Sequence, residues 1–290
     1  MEFNSVVYIF FLCATVALYY ATARAYSSQR LIILIASAVF YAFWSAPFLV
    51  HLVVVLLVNY ELSRWISSTL DARLRRRLLI GGVAADLANL FAFKYTGLAA
   101  HTGNTVLALL GWRDPVLPDI APLLPLAISF YTFSVISYLV DVYRDPSGQA
   151  RGPLEFLFYA MFFPHLIAGP ILRKDEFFPQ CGYQALKGDN IIAGTHRIVV
   201  GLFQKAVIAD NLAVIVDHGY RNYAALSTSE ASVILIAYSL QIFFDFAGYS
   251  AIAIGSARLF GYVFPENFSN PYAAVNISDF WRRWHMTLSR

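Results

Sequence analysis

The chain has 290 residues, of which 59% are hydrophobic, 16% aromatic and 13% charged, where soluble domains carry roughly 45–50% apolar and about 25% charged residues. Even a large domain leaves much of its surface in water, so this composition excludes a soluble enzyme, a disordered tail and a nucleic-acid binder, and asks for lipid as the solvent. The net charge of +3 says little about acidic partners, but only four of the 21 basic residues are lysines, and arginine suits aromatic rings and anionic headgroups.

Ser5 to Ala23 carries no charged residue and is about the length of a membrane helix. The chain opens Met-Glu-Phe-Asn and the run closes Tyr-Tyr-Ala-Thr-Ala, unlike the basic start and small-residue exit of a signal peptide, so it reads as a retained anchor. Leu31 to Tyr60 is again free of Asp, Glu, Lys and Arg. As one helix this run would span about 45 Å, longer than the ~30 Å hydrocarbon core. Pro47 predicts a break into two short helices that return to the starting side. That hairpin puts Arg24, Arg30, Arg64, Arg73, Arg75, Arg76 and Arg77 together, on the cytoplasmic side by the positive-inside rule, with the amino terminus outside the cytoplasm. A single tilted helix is the alternative and would place the arginine cluster outside.

Further apolar runs follow at Leu78–Ala100, Leu123–Val140, Leu154–Leu172, Ile198–Val216 and Ala231–Phe264, with Asp86, Lys94 and Asp245 at depth. Gly111 to Pro125 is rich in Pro and Asp and predicts an interfacial loop. The stretch from Phe162 to Pro170 has Gly169 and two prolines, and predicts a re-entrant segment whose freed backbone groups need cover from protein or water. No internal repeat is visible. Cys13 and Cys181 have no metal or redox spacing, and no metal site is expected.

Gln241, Asp245 and Tyr249 recur at i, i+4 and i+8, so a helix places them on one face. They form either a buried hydrogen-bond ladder or one wall of a polar tunnel, and Gly248 and Gly255 predict close approach of a neighbouring helix. Ser129 to Arg144 predicts a Tyr-rich helix ending at the interface, with Asp141 and Arg144 as an i, i+3 pair. Asn276 to Leu288 predicts an interfacial helix capped by Ser278, with Asp279 at its positive end. On it Phe280 and Trp284 pair at i, i+4, as do Trp281 and His285, while Arg282 and Arg283 point elsewhere toward anionic groups. His285 is either a hydrogen-bonded structural residue or a general base acting on a hydroxyl.

The string Phe280-Trp-Arg-Arg-Trp-His285-Met-Thr-Leu-Ser289 resembles the membrane-bound O-acyltransferase family, in its branch of alginate O-acetylation and teichoic acid D-alanylation proteins. Pro125 to Phe133, Asp141 to Arg144, Phe163 to Ile171, Tyr238 to Tyr249 and Asn267 to Tyr272 resemble the family's other strings in the same order. The resemblance runs through essentially the whole chain. The Arg-Arg form of the motif inclines it to the alginate-type branch, with D-alanyl transfer next.

This resemblance implies an all-α, multi-pass protein of a bacterial inner membrane: one domain over residues 1–290, a helical funnel with re-entrant segments. It implies acetyl-CoA as acyl donor, with no bound cofactor. The implied acceptor is an exopolysaccharide hydroxyl or a periplasmic relay acetyltransferase; the D-alanylation branch uses a carrier protein as donor. His285 is the implied catalytic residue. Arg282, Arg283 and Trp284 would serve the donor or the motif's fold, and Asp245, Gln241 and Tyr249 the tunnel. Family members carry a second histidine downstream, and none follows His285 here, so the chain is expected to be the front portion of a longer protein. The rival reading is an inactive scaffold or acyl conduit. A transporter is disfavoured, because no inverted repeat is visible.

Overall fold

A computed structural model describes residues 3–22, 25–112, 118, 123–147, 149–167 and 169–289. The loop expected at 111–125 lies largely outside the described residues. The chain divides into two compact units, one formed from residues 1–40 and 161–290 and the other from Tyr41–Ala160. Among the described residues the secondary structure is helical throughout, with no strand.

Helices α1 (Val6–Thr22) and α2 (Tyr26–Ala42) have 17 residues each, about 26 Å at 1.5 Å per residue. The anchor run thus forms a helix slightly shorter than the hydrocarbon core. The break expected near Pro47 falls just before it. α3 (Ala46–Ser68) restarts with Ser45 extended at its N-cap and Pro47 in its first turn, where a missing N–H costs nothing. The run at Leu78–Ala100 is divided between α4 (Ala72–Lys94) and α5 (Thr96–Leu109), bent by 69° at Tyr95. The aromatic run becomes α6 (Ile128–Arg144), entered through Ala127 in a left-handed conformation.

In the unit 41–160, α3, α4 and α6 pack together. Asp86 and Lys94, two of the three charges expected at depth, are absorbed there. Buried Asp86 accepts from the Asn59 amide at 2.9 Å, and Lys94 reaches Ser129 Oγ at 3.5 Å. A Cβ on Gly82 would meet the Leu62 side chain at 2.2 Å, so the glycine admits that leucine between α3 and α4. The Arg75 guanidinium donates to the Val142 and Tyr143 carbonyls at the end of α6.

The stretch 154–172 is broken, as its prolines and glycine require. α7 (Pro153–Met161) stops at Phe162, α8 (Phe163–Leu166) is a single buried turn, and α9 (Lys174–Phe177) follows after an irregular stretch. Phe162, Phe163 and Leu166 are at most 1% exposed, and the Ser37 hydroxyl accepts from the Phe163 N–H at 3.1 Å. Protein covers the freed backbone, which is the condition such a segment must meet.

α10 (Gly188–Leu202), a π-helical stretch Phe203–Ala209 and α11 (Asp210–Arg221) run on as one 34-residue span. α12 (Thr228–Leu259) adds 32 residues, with Ser227 and Glu230 as its capping box. Among the described residues three helices are long and apolar enough to cross a membrane, or four if α4 and α5 count as one bent span. α1 docks on the end of α12: Tyr8 Oη meets Ser256 Oγ at 2.8 Å, and Tyr20 donates to the Leu259 carbonyl at 2.8 Å.

Candidate functional site

The site is built where α10–α11 lies antiparallel against α12. A Cβ on Gly194 would stand 2.8 Å from the Gly255 carbonyl oxygen, and one on Gly201 2.7 Å from that of Gly248. The two glycine pairs bring the backbones into direct contact, the approach expected from Gly248 and Gly255. One turn on, the π-helical stretch inserts extra backbone, a feature found disproportionately at functional sites. It carries Lys205. The Lys205 ammonium meets Asp245 Oδ1 at 2.5 Å and Asp210 Oδ1 at 2.7 Å, and stands 5.3 Å from the Tyr249 ring centroid.

Asp245 and Tyr249 therefore share a face and are joined by a cation. Gln241 lies on the same face one turn earlier, and its buried Oε1 has no partner among the described residues. Neither Lys205 nor Asp210 emerges from the sequence reading, which passes over Ile198–Val216 as apolar. Two opposite charges five residues apart inside such a run are the signal that could have found them.

The C-terminal motif differs from its expected form. α13 spans only Ile277–Arg283, and its cap is Asn276, whose Oδ1 accepts from the Asp279 N–H at 2.8 Å. Ser278 instead falls inside the first turn, because Asn276 takes the extended backbone that an N-cap needs. The helix stops before Trp284, so Trp281 and His285 do not share a helical face. Trp284 is extended and His285 takes φ +45°.

The chain leaves the helix because stronger partners claim it. The Met286 N–H donates to the Asn267 carbonyl at 2.9 Å, and the Ser269 N–H to the Arg283 carbonyl at 3.0 Å. Thr287 Oγ1 accepts from the Ile171 N–H at 2.9 Å and donates to Asn267 Oδ1 at 2.6 Å, while the Asn267 amide donates to Ser250 Oγ of α12 at 3.0 Å. Asn267 is fully buried. Asn267 and Thr287 thus position the motif, a role sequence reasoning missed.

The Phe280–Trp284 pair does form, stacked at 5.6 Å, with Phe268 edge-on to Trp284 at 5.1 Å. His285 lies edge-on to Phe246 at 4.7 Å, one residue after Asp245. Its Nε2 is buried without a partner among the described residues, and desolvation holds its pKa below the usual histidine value. The imidazole is therefore neutral near neutral pH and able to accept a proton. Arg283 is spent on Asp279 at 3.0 Å and holds that carboxyl below its usual range. Arg282 is exposed, without an ion pair among the described residues. Beside the motif, Arg197, Gln204, Ser250, Glu266, Asn267 and Asn270 help line a polar cavity of about 170 Å³. Among the described residues no three His, Cys, Asp or Glu side chains gather into a metal-binding group.

The model of MBOAT, the membrane-bound O-acyltransferase family, matches residues 36–290. The chain is 39% identical over 295 residues to a Pseudomonas aeruginosa protein named "Probable alginate O-acetylase", matching all of this chain and 55% of that one. It is 37% identical over 319 residues to a Helicobacter pylori peptidoglycan O-acetyltransferase, covering 99% of this chain and 59% of that one. A Bacillus subtilis teichoic acid D-alanyltransferase is 33% identical over 171 residues, 57% of this chain and 42% of that one. The chain thus spans little more than half the length of the full-chain relatives. The aromatic motif, the bundle of apolar helices and the family match agree: the chain belongs to the membrane-bound O-acyltransferase family and is a multi-pass membrane protein.

Proposed function

We propose that this chain carries the donor-side machinery of O-acetyl transfer in a bacterial inner membrane, moving acetyl groups from acetyl-CoA to an exopolysaccharide of alginate type or to a periplasmic relay acetyltransferase. The observation that carries this reading is His285, a half-buried imidazole on a left-handed turn. Its desolvated Nε2 is buried without a partner among the described residues. In the proposed step the imidazole takes the proton of the acceptor hydroxyl, and the hydroxyl oxygen attacks the thioester carbonyl. The C–S bond breaks, coenzyme A leaves as the thiolate and takes up a proton, and an ester remains. Exposed Arg282 would pair with donor phosphates. Arg283 and Trp284 hold the motif's shape through Asp279 and Phe280. Asp245 and Tyr249, pinned by Lys205, brace the wall that Gln241 continues.

Acetylation is preferred over D-alanyl transfer because the two O-acetyltransferase relatives match along nearly the whole chain and the D-alanyltransferase over little more than half of it. The test supplies labelled acetyl-CoA to membranes containing the protein and follows label into the polysaccharide and periplasmic protein fractions. Protein-dependent label in either fraction is expected. Transfer that requires a charged carrier protein and ignores acetyl-CoA would overturn the acetyl-CoA assignment.

A further inference from the structure

In the unit 41–160, an open groove of about 690 Å³ runs between α3 and α4. Its walls are apolar, from Leu57, Leu62, Leu78 and Ala85, and its polar side chains are Glu61 and Arg77, with Trp65 beside them. Glu61 is already paired with Arg64 at 2.9 Å, so the groove's uncompensated charge is positive. Arg73, Arg76 and Arg77 are all exposed, and none has an ion pair among the described residues. Arg75 differs: it is committed to the Val142 and Tyr143 carbonyls and stands over the Tyr143 ring.

Arg73, Arg76 and Arg77 fall at i, i+3 and i+4 and so share one helix face, where like charges repel unless an anion joins them. The same face continues through Gly81 and Ala85, at i+4 and i+8 from Arg77. A Cβ on Gly81 would meet nothing within 4 Å. Small residues therefore keep the groove open beside Arg77, the one of the three cations that lines it. The N-terminus of α4 is already capped, the Asp71 carboxylate accepting from the Arg73 N–H at 2.8 Å, so the free positive charge is that of the guanidinium groups.

We propose that this groove is a specific site for one anionic phospholipid, with an acyl chain along Leu57, Leu62, Gly81 and Ala85 and the headgroup phosphate held by Arg73, Arg76 and Arg77. Charge complementarity selects this occupant. A zwitterionic lipid leaves the three cations uncompensated, free phosphate leaves the apolar groove unfilled, and a second copy of the chain would bring the same positive face against itself. The inference is independent of the acyl-transfer reading.

The experiment counts lipids retained by the purified chain in native mass spectrometry, from detergent mixtures of phosphatidylglycerol and phosphatidylcholine. The intact chain is expected to retain one phosphatidylglycerol in preference to phosphatidylcholine. Each change among Arg73→Gln, Arg76→Gln and Arg77→Gln is expected to weaken that preference about fivefold. Gly81→Leu, whose Cβ would meet nothing within 4 Å, is expected to abolish retention of both lipids while the chain stays folded. Inorganic phosphate and glycerol phosphate are expected neither to be retained nor to compete. Equal retention of the two lipids, retention unchanged in the triple arginine variant, competition by inorganic phosphate, or a dimer that retains no lipid would each overturn the proposal.

Discussion

Replacing Thr287 by valine removes one hydroxyl that serves two buried partners. In the native arrangement that oxygen accepts from the Ile171 N–H at 2.9 Å and donates to Asn267 Oδ1 at 2.6 Å. Thr287 is 6% exposed and Asn267 is fully buried, so water does not replace what is lost. Each orphaned buried group costs about 1–3 kcal/mol. The extra methyl returns about 0.8 kcal/mol if it packs. The net expectation is a loss of roughly 2–4 kcal/mol, or about 5–15 °C in melting temperature for a unit of this size. Tryptophan fluorescence during thermal unfolding in detergent measures it. Thr287→Ser keeps both hydrogen bonds and is expected to melt within a few degrees of the native protein. The reasoning is refuted if valine melts like threonine, or if serine falls as far as valine.

Four further outcomes are expected. Gly201→Ala drives a Cβ to 2.7 Å from the Gly248 carbonyl oxygen, and the forced separation of the helices should cost about 1–3 kcal/mol in denaturant titration. Lys205→Met leaves Asp210 and Asp245 facing each other uncompensated; because both carboxylates are more than 40% exposed, the loss should stay at about 1–2 kcal/mol and exceed that of Asp210→Asn in the same assay. Burial lowers the His285 pKa, so its neutral form persists below the free-histidine value of about 6.5. The acid limb of a transfer-rate profile is then expected below that pH. Its linkage contribution runs the same way: stability is lost as pH falls below about 6.5, because the unfolded chain binds the proton first. Replacing His285 by valine should destabilise the turn by about 1–3 kcal/mol in thermal unfolding, since a β-branched residue at positive φ is strained, whereas asparagine tolerates the left-handed region.

The parts legible in the sequence are those set by local rules. Apolar runs located α1, α3 and α12, Pro47 marked the start of α3 within two residues, and the Pro and Gly around Phe162 foretold a broken, covered segment. The i, i+4, i+8 spacing placed Gln241, Asp245 and Tyr249 on one face, and Gly248 and Gly255 at a close helix contact. What stayed hidden depends on partners distant in the chain. Lys205 meets Asp245 across 40 residues, and only the π-helical stretch aims it there. The end of α13 was equally hidden, because hydrogen bonds from Asn267 and Ile171 pull residues 284–287 off the helix that their own spacing favours. Asn276 outcompeted Ser278 as a cap for a local reason that a pattern alone does not decide, since both residue types are good caps and only the backbone at 276 is extended.

The account rests on the His285 imidazole as the base for acyl transfer, held by a turn that does not depend on it. The most direct measurement is base-labile acetate on polysaccharide from cells whose acetylation depends on this gene, with His285→Asn compared to the native residue at equal membrane abundance. Asparagine accepts the left-handed backbone and lacks a basic nitrogen. The account predicts normal abundance and melting temperature with acetate reduced at least about a hundredfold, the scale of a lost general base. Native acetate levels in that variant would contradict it.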